Sequence, residues 1–172
     1  MKPAVIFDLD QTLLDTSGIA HLRSPGNWNK AIAQVPTLSP FPGIDEIFDC
    51  LAQNNIEIVI ITTSPGIYCT AIVNHFQWKI AGQVCYHDVG RRKPDPEAFI
   101  KAVKAFDLDV SRTISAGDRD IDILASNAAQ IPSIACPWAS PDAQALLAAK
   151  PTFIANDTAA VLRAIKTFFQ IA

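Results

Sequence analysis

A doubly wound, mostly parallel α/β sheet with helices on both faces is the fold class that this sequence predicts. Three observations predict it. Short, near-continuous apolar runs, partly β-branched, recur along the chain, as strands buried on both faces require. Longer amphipathic stretches separate them, and that alternation implies right-handed βαβ crossovers. Oxygen-bearing side chains stand at the C-terminal ends of several apolar runs, where ligands bind in open α/β sheets.

The first strand is expected at residues 4–7 and runs into Asp8 and Asp10. Residues 15–40 then break the pattern, punctuated by Gly18, Pro25, Gly26, Pro36 and Pro40, with one short helix around 29–35. This stretch reads as an irregular, cap-like excursion within one unit of residues 1–172. A helix over 44–54 follows a Pro-Gly turn and stops at Gln53-Asn54-Asn55. The second strand, 57–61, runs into Thr62, Thr63 and Ser64, and a helix over 66–76 follows. A short third strand at 84–86 leads to the 90–96 loop, which carries Lys93. The next helix, 96–106, has Asp95 at its N-cap and Pro96 at its first helical position, a strong start signal. The fourth strand, 113–116, runs into Gly117, Asp118 and Asp122, with a helix over 121–129. A fifth strand at 133–136, a helix over 141–149, a short sixth strand at 153–154 and a helix over 157–169 complete the chain.

A chain of 172 residues suits one domain with at most a small appendage. Hydrophobic residues make up 49% and charged residues 18%, a globular balance. The net charge of −3 supplies no basic footprint, so neither nucleic acid nor an anionic membrane is indicated as a partner. The start, MKPAVIFDLD, meets carboxylates too early for a signal peptide. No apolar stretch approaches the roughly 20 residues that span a bilayer. Cys50, Cys69, Cys85 and Cys136 form no C-x-x-C pair and no zinc-like spacing with His21, His75 or His87. Buried free thiols in a reducing compartment are expected, hence a cytoplasmic protein.

Three strands thus deliver Asp8, Asp10, Thr62, Thr63, Asp118 and Asp122 to one edge, with Lys93 nearby. Four carboxylates together repel one another. A hard divalent cation with oxygen ligands removes that repulsion, and Mg2+ prefers one or two carboxylates with phosphate and water. A lysine at the same edge suits a phosphate. Together they point to phosphoryl transfer, which works by positioning and charge neutralisation.

With these residues in order, the sequence resembles the haloacid dehalogenase-like superfamily of phosphatases. The resemblance is carried by Asp8-Leu9-Asp10-Gln11-Thr12, by Thr62, by Lys93-Pro94-Asp95-Pro96 and by Gly117-Asp118-Arg119-Asp120-Ile121-Asp122. Ala128-Ala129-Gln130-Ile131-Pro132-Ser133 continues the match, which runs from about Val5 to Cys136. It implies that Asp8 is a nucleophile that becomes an aspartyl phosphate, and that Asp10 is the general acid and then the general base. It implies that Thr62, Thr63 and Lys93 bind phosphate, with Lys93 also neutralising Asp8. The Mg2+ ligands it implies are Asp8, Asp10 through its backbone carbonyl, Asp118, and Asp122 directly or through water. The bland readings are loop or helix caps for the aspartates, a plain strand-end threonine and an exposed loop lysine. Gln11 stands where glycine is usual, Thr63 where asparagine is frequent and Arg119 where serine is common. Asp120 often has no equivalent, and its link to the metal is left open.

Asp10 and Thr62 are 52 positions apart (62 minus 10), and helix and strand fill the later part of that interval. A cap therefore has only the 15–40 stretch, and the site is expected to be fairly open. That admits a phosphorylated small molecule or a macromolecule as substrate, or a second subunit as a cover. The competing functions are phosphoryl transfer to an acceptor other than water, and a non-catalytic phosphate-binding or regulatory module on the same scaffold.

Overall fold

The computed structural model describes residues 1–171, so Ala172, the last residue of the single unit expected, lies outside the described residues. In chain order the elements are β1 (Lys2–Phe7), β2 (Leu14–Asp15), α1 (Trp28–Ala33), β3 (Ser39–Pro40), α2 (Ile44–Gln53), β4 (Glu57–Ile61), α3 (Gly66–His75), β5 (Gly82–Val84), α4 (Glu97–Ala105), β6 (Leu108–Gly117), α5 (Asp120–Ala128), β7 (Ser133–Ala135), α6 (Ala143–Ala148), β8 (Phe153–Ile154) and α7 (Thr158–Phe169). Six of the strands form one sheet in the order β5-β4-β1-β6-β7-β8, and every pairing in it is parallel.

This order creates the site. The chain starts in the middle at β1, winds outward through β4 and β5, then returns to lay down β6, β7 and β8 on the other side. The winding reverses at the β1–β6 seam, where a crevice opens beyond the strand ends. Phe7 pairs with Ile60 on one neighbour and with Ala116 on the other. The residues that follow β1, β4 and β6 therefore leave the sheet at the same level.

Side-chain alternation explains why both faces need cover. Val5, Phe7, Ile58, Ile60 and Ile114 belong to one buried cluster with Ile47 and Leu51 of α2 and with Val161 and Ile165 of α7. Ala4, Ile6, Val59 and Ile61 belong to a second cluster with Phe99 and Ala102 of α4 and Ala125 of α5. Period-2 alternation sends successive residues of one strand into opposite cores.

The structure differs from the sequence reading in several places: β6 begins at Leu108 instead of residue 113, and Pro96 instead of Asp95 is the N-cap of α4. The third strand lies at Gly82–Val84 instead of residues 84–86, and a 3-10 turn, Tyr86–Asp88, takes over. The Asp88 carboxylate accepts the Cys85 N–H at 2.7 Å, which turns the chain off the sheet edge. The 15–40 stretch carries, beside a helix near the expected place, a short antiparallel ribbon in which Leu14 pairs with Pro40 and Asp15 with Ser39. Ile19, Ala31, Val35 and Leu38 from this stretch, with Leu14 just before it, enter the larger core cluster. Of the cysteines, Cys69, Cys85 and Cys136 are buried, and all four are free. Among the described residues, no helix is long and apolar enough to cross a membrane.

Candidate active site

Asp8 directly follows β1, and its N–H donates to the Ala116 carbonyl of β6 at 2.9 Å. That bond carries the parallel ladder one residue beyond the strand and brings Asp8 beside the end of β6. Asp118 and Asp122 follow β6, the latter in the first turn of α5. One ligand oxygen from each of Asp8, Asp118 and Asp122 lies within 4.8 Å of the others. Gly117 makes the approach of α5 to the strand end sterically possible. A Cβ there would stand 2.4 Å from the Asp122 Cβ.

Lys93 is buried among these carboxylates. Its Nζ donates to Asp8 Oδ1 at 2.6 Å, to the Ile61 carbonyl at 3.0 Å and to Asp122 Oδ1. Asp122 accepts the Arg119 N–H on its other oxygen at 3.0 Å, so α5 itself orients it. Thr12 donates its hydroxyl to Asp118 Oδ1 at 3.1 Å. Burial works to lower the Lys93 pKa, but the Asp122 and Asp8 charges outweigh it and hold the ammonium well above its usual range. Burial pushes the Asp8 carboxyl up, and the charges of Asp122 and Asp118 add to that against the pull of Lys93. Asp118 is pushed up to about 7 by burial and by the charge of Asp122. Three acidic groups thus face one amine. The excess of negative charge and the all-oxygen donor set fit a hard divalent cation.

The Asp10 carboxylate stands apart from that trio. Ser64 donates to its Oδ2 at 2.7 Å and Tyr68 to its Oδ1 at 3.1 Å. Arg23, from the 15–40 stretch, approaches Oδ2 at 3.4 Å and donates to Thr16 at 2.6 Å, while its buried Nε has no hydrogen-bond partner. Thr62 Oγ1 accepts the Ser64 N–H at 3.0 Å. Asp8, Asp10, Thr62, Thr63, Lys93, Asp118 and Asp122 all line one cavity of about 320 Å³, and Arg23 closes part of it.

The sequence-derived residues therefore meet in one place, but not all in one role. Asp10's side chain is not in the carboxylate trio, and Asp120 is absent from it as well. Gln11, at the glycine-like position, adopts a left-handed φ of 67°. Arg91, two residues before Lys93, pairs with Asp95 and Glu97 at the surface. Sequence reasoning passed over Arg23 and Tyr68 and gave Ser64 no role. The Pro- and Gly-broken 15–40 stretch was the only signal for Arg23, and a lone tyrosine in an apolar helix gave none.

Residues 23–136, more than half of the chain, match the family model described as haloacid dehalogenase-like hydrolase. That stretch holds Thr62, Lys93, Asp118 and Asp122, while Asp8 and Asp10 precede it. The phosphoglycolate phosphatase of Agrobacterium fabrum is 29% identical over 136 residues, which cover 77% of this chain and 58% of that protein. Pyrophosphatase PpaX of Oceanobacillus iheyensis is 26% identical over 126 residues, 70% of this chain and 57% of that protein. The chain spans about half the length of the curated relatives it matches. Among solved structures, a hydrolase from Pseudomonas syringae superposes with a TM-score of 0.80 at 18% identity, covering 96% of this chain and 99% of that one. CbbY from Rhodobacter sphaeroides, in complex with phosphate, superposes with a TM-score of 0.78 at 15% identity, covering 92% and 96%. The structural likenesses speak for the fold, and the matched stretch, more than half of the chain, shows that this chain belongs to the haloacid dehalogenase-like hydrolases.

Proposed function

We propose that this chain is a Mg2+-dependent phosphomonoesterase that works through an aspartyl phosphate on Asp8, with the 15–40 stretch as a minimal cap. The observation that carries the reading is the buried Lys93 ammonium joining Asp8 to Asp122, with the Asp118 carboxylate beside them. A nucleophile is thereby aimed and partly neutralised at the mouth of a cavity. Phosphoglycolate phosphatases and a pyrophosphatase among the relatives support a phosphorylated small molecule as substrate.

Asp8 attacks phosphorus as the ester P–O bond breaks, and Asp10 gives its proton to the leaving oxygen. Asp10, now a carboxylate, then takes a proton from water as that water attacks the phosphorus. The products are inorganic phosphate and free Asp8. Ser64 and Tyr68 fix the Asp10 carboxylate for both steps. Thr62 accepts from the Ser64 N–H and so keeps its hydroxyl hydrogen for a phosphate oxygen, and Thr63 lines the same wall. Lys93 offsets charge that builds up on the transferring group. Asp8, Asp118 and Asp122, with the Asp10 backbone carbonyl, would hold Mg2+, which when bound supplies charge neutralisation at the phosphoryl oxygens.

The test is phosphate release from a panel of phosphomonoesters with and without Mg2+. Turnover requires the metal, and Asp8→Asn abolishes it while leaving the fold intact by circular dichroism. A purified wild-type protein that hydrolyses nothing in the panel with Mg2+ present would overturn the reading.

A further inference from the structure

A second cavity, of about 820 Å³, shares a wall with the first. Thr63 lines both. The rest of the second lining is apolar or aromatic: Pro25 and Trp28 from the 15–40 stretch, Pro65 and Ile67 at the start of α3, and Tyr86 and His87 after β5. Among the described residues, no lysine, arginine, aspartate or glutamate lines it. Ile67 is 61% exposed and Tyr86 37% exposed, so large apolar side chains are presented at its mouth instead of being packed away.

The walls are braced. The Arg92 guanidinium stands 3.7 Å over the Tyr86 ring, and His87 meets the same ring edge-on at 4.9 Å. Trp28 packs on Tyr68 with ring centroids 5.4 Å apart, and the Tyr68 hydroxyl is a donor to Asp10. The aromatic wall is thus one residue removed from the group assigned to protonate the leaving oxygen. Anything bonded to a phosphate held by Thr62 and Thr63 has this cavity as its apolar neighbour.

We propose that this cavity receives the leaving group of the substrate, and that the leaving group is a small-molecule alcohol bearing a flat aromatic ring system. The reading rests on the phosphomonoesterase assignment above. A volume of this size is in the range that encloses a fused ring system, and aromatic walls favour offset or edge-on ring contacts. A second carboxylate or phosphate on the substrate finds no cation in the lining. The cavity therefore separates this chain from enzymes built for small dianionic acids.

The experiment compares two esters whose leaving oxygens are chemically alike, 1-naphthylmethyl phosphate and ethyl phosphate, with Mg2+. The wild type is expected to favour the aromatic ester by at least about tenfold in kcat/KM, from burial of the ring. In the doubly substituted Ile67→Ser/Tyr86→Ala protein that ratio falls towards one. Because both positions are exposed, the variant keeps the wild-type melting temperature within about 2 °C. Trp28→Leu provides a second variant with the same expected fall in the ratio. Equal kcat/KM for the two esters in the wild type overturns the aromatic subsite and leaves the phosphatase reading standing. A wild-type preference that survives in both variants places the ring elsewhere and also overturns it. A wild type that releases phosphate from other phosphomonoesters of the panel but from neither of these two overturns the aromatic subsite alone.

Discussion

Asp10 has three partners from two parts of the chain: Ser64 and Tyr68 around the start of α3, and Arg23 from the 15–40 stretch. None of them is a sequence neighbour, and each limits where the carboxylate can point. Tyr68 is wholly buried, and burial together with the Asp10 charge raises its hydroxyl pKa, so it stays a proton donor throughout the working pH range. Tyr68→Phe removes that one donor and nearly nothing else. A hydrogen bond to a charged group is worth about 1.5–3 kcal/mol, so we expect kcat to fall by about tenfold or more with KM little changed. Steady-state kinetics on any hydrolysed phosphomonoester reads this, and an unchanged kcat argues against a positioning role for Tyr68. The residues visible in the sequence alone were those whose chemical type and place at a strand end coincide: Asp8, Asp10, Thr62, Lys93, Asp118 and Asp122. Arg23 and Tyr68 were not visible, because their meaning lies in a contact across 13 and 58 positions (23 minus 10, 68 minus 10) that only the folded chain makes.

At the scale of elements, the strands most legible in the sequence are those flanked on both sides in the sheet, together with the edge strand β8 at Phe153–Ile154. β1 and β4 each have two neighbours and apolar residues in both large core clusters, so their apolar runs are nearly unbroken. β5 has one neighbour, and its Gly82-Gln83 start carries no apolar signal, which is why the reading slipped toward residue 86. The β2–β3 ribbon has two residues in each strand, too few for any period to show. The junction between β6 and α5 sets the site, and Gly117 is its hinge point. Gly117→Ala drives a Cβ into the Asp122 side chain, which is pinned by Lys93 and by the Arg119 N–H. Overpacking a rigid contact of this kind costs about 1–3 kcal/mol. It also moves Asp122 away from Lys93, so activity should fall at least about tenfold, further than the modest loss of stability explains. A Gly117→Ala protein with wild-type melting temperature and turnover would show that the junction is more compliant than its geometry indicates.

For the molecule as a whole, the same cluster that does the chemistry opposes folding when no cation is bound. Asp118 has its pKa raised to about 7 from an ordinary 3.8, first by burial and then by the charge of Asp122. Below about pH 4 the carboxyl is protonated in both folded and unfolded chains, and it adds no destabilisation. As pH rises from 4 to 7 the unfolded chain releases the proton while the folded chain holds it, so stability drains away through this window. Above pH 7 the whole penalty is present, on the order of 2–4 kcal/mol for a shift of this size. Asp118→Asn removes the charge and keeps an oxygen to accept from Thr12. Without metal, the substituted protein should differ least from the wild type near pH 4 and exceed it at pH 8, by about 2–4 °C in melting temperature for each kcal/mol of penalty relieved. Added Mg2+ should reverse the order at pH 8, raising the wild type by mass action and leaving Asp118→Asn nearly unmoved. The gain in stability would then come with a loss of turnover, the trade expected where a strained site is kept for its function. Thermal melts of the two proteins at both pH values, each with EDTA or with Mg2+, test this directly. An Asp118→Asn protein that is less stable than the wild type at pH 8 in EDTA would mean that the aspartate is not held against its neighbours as the structure indicates.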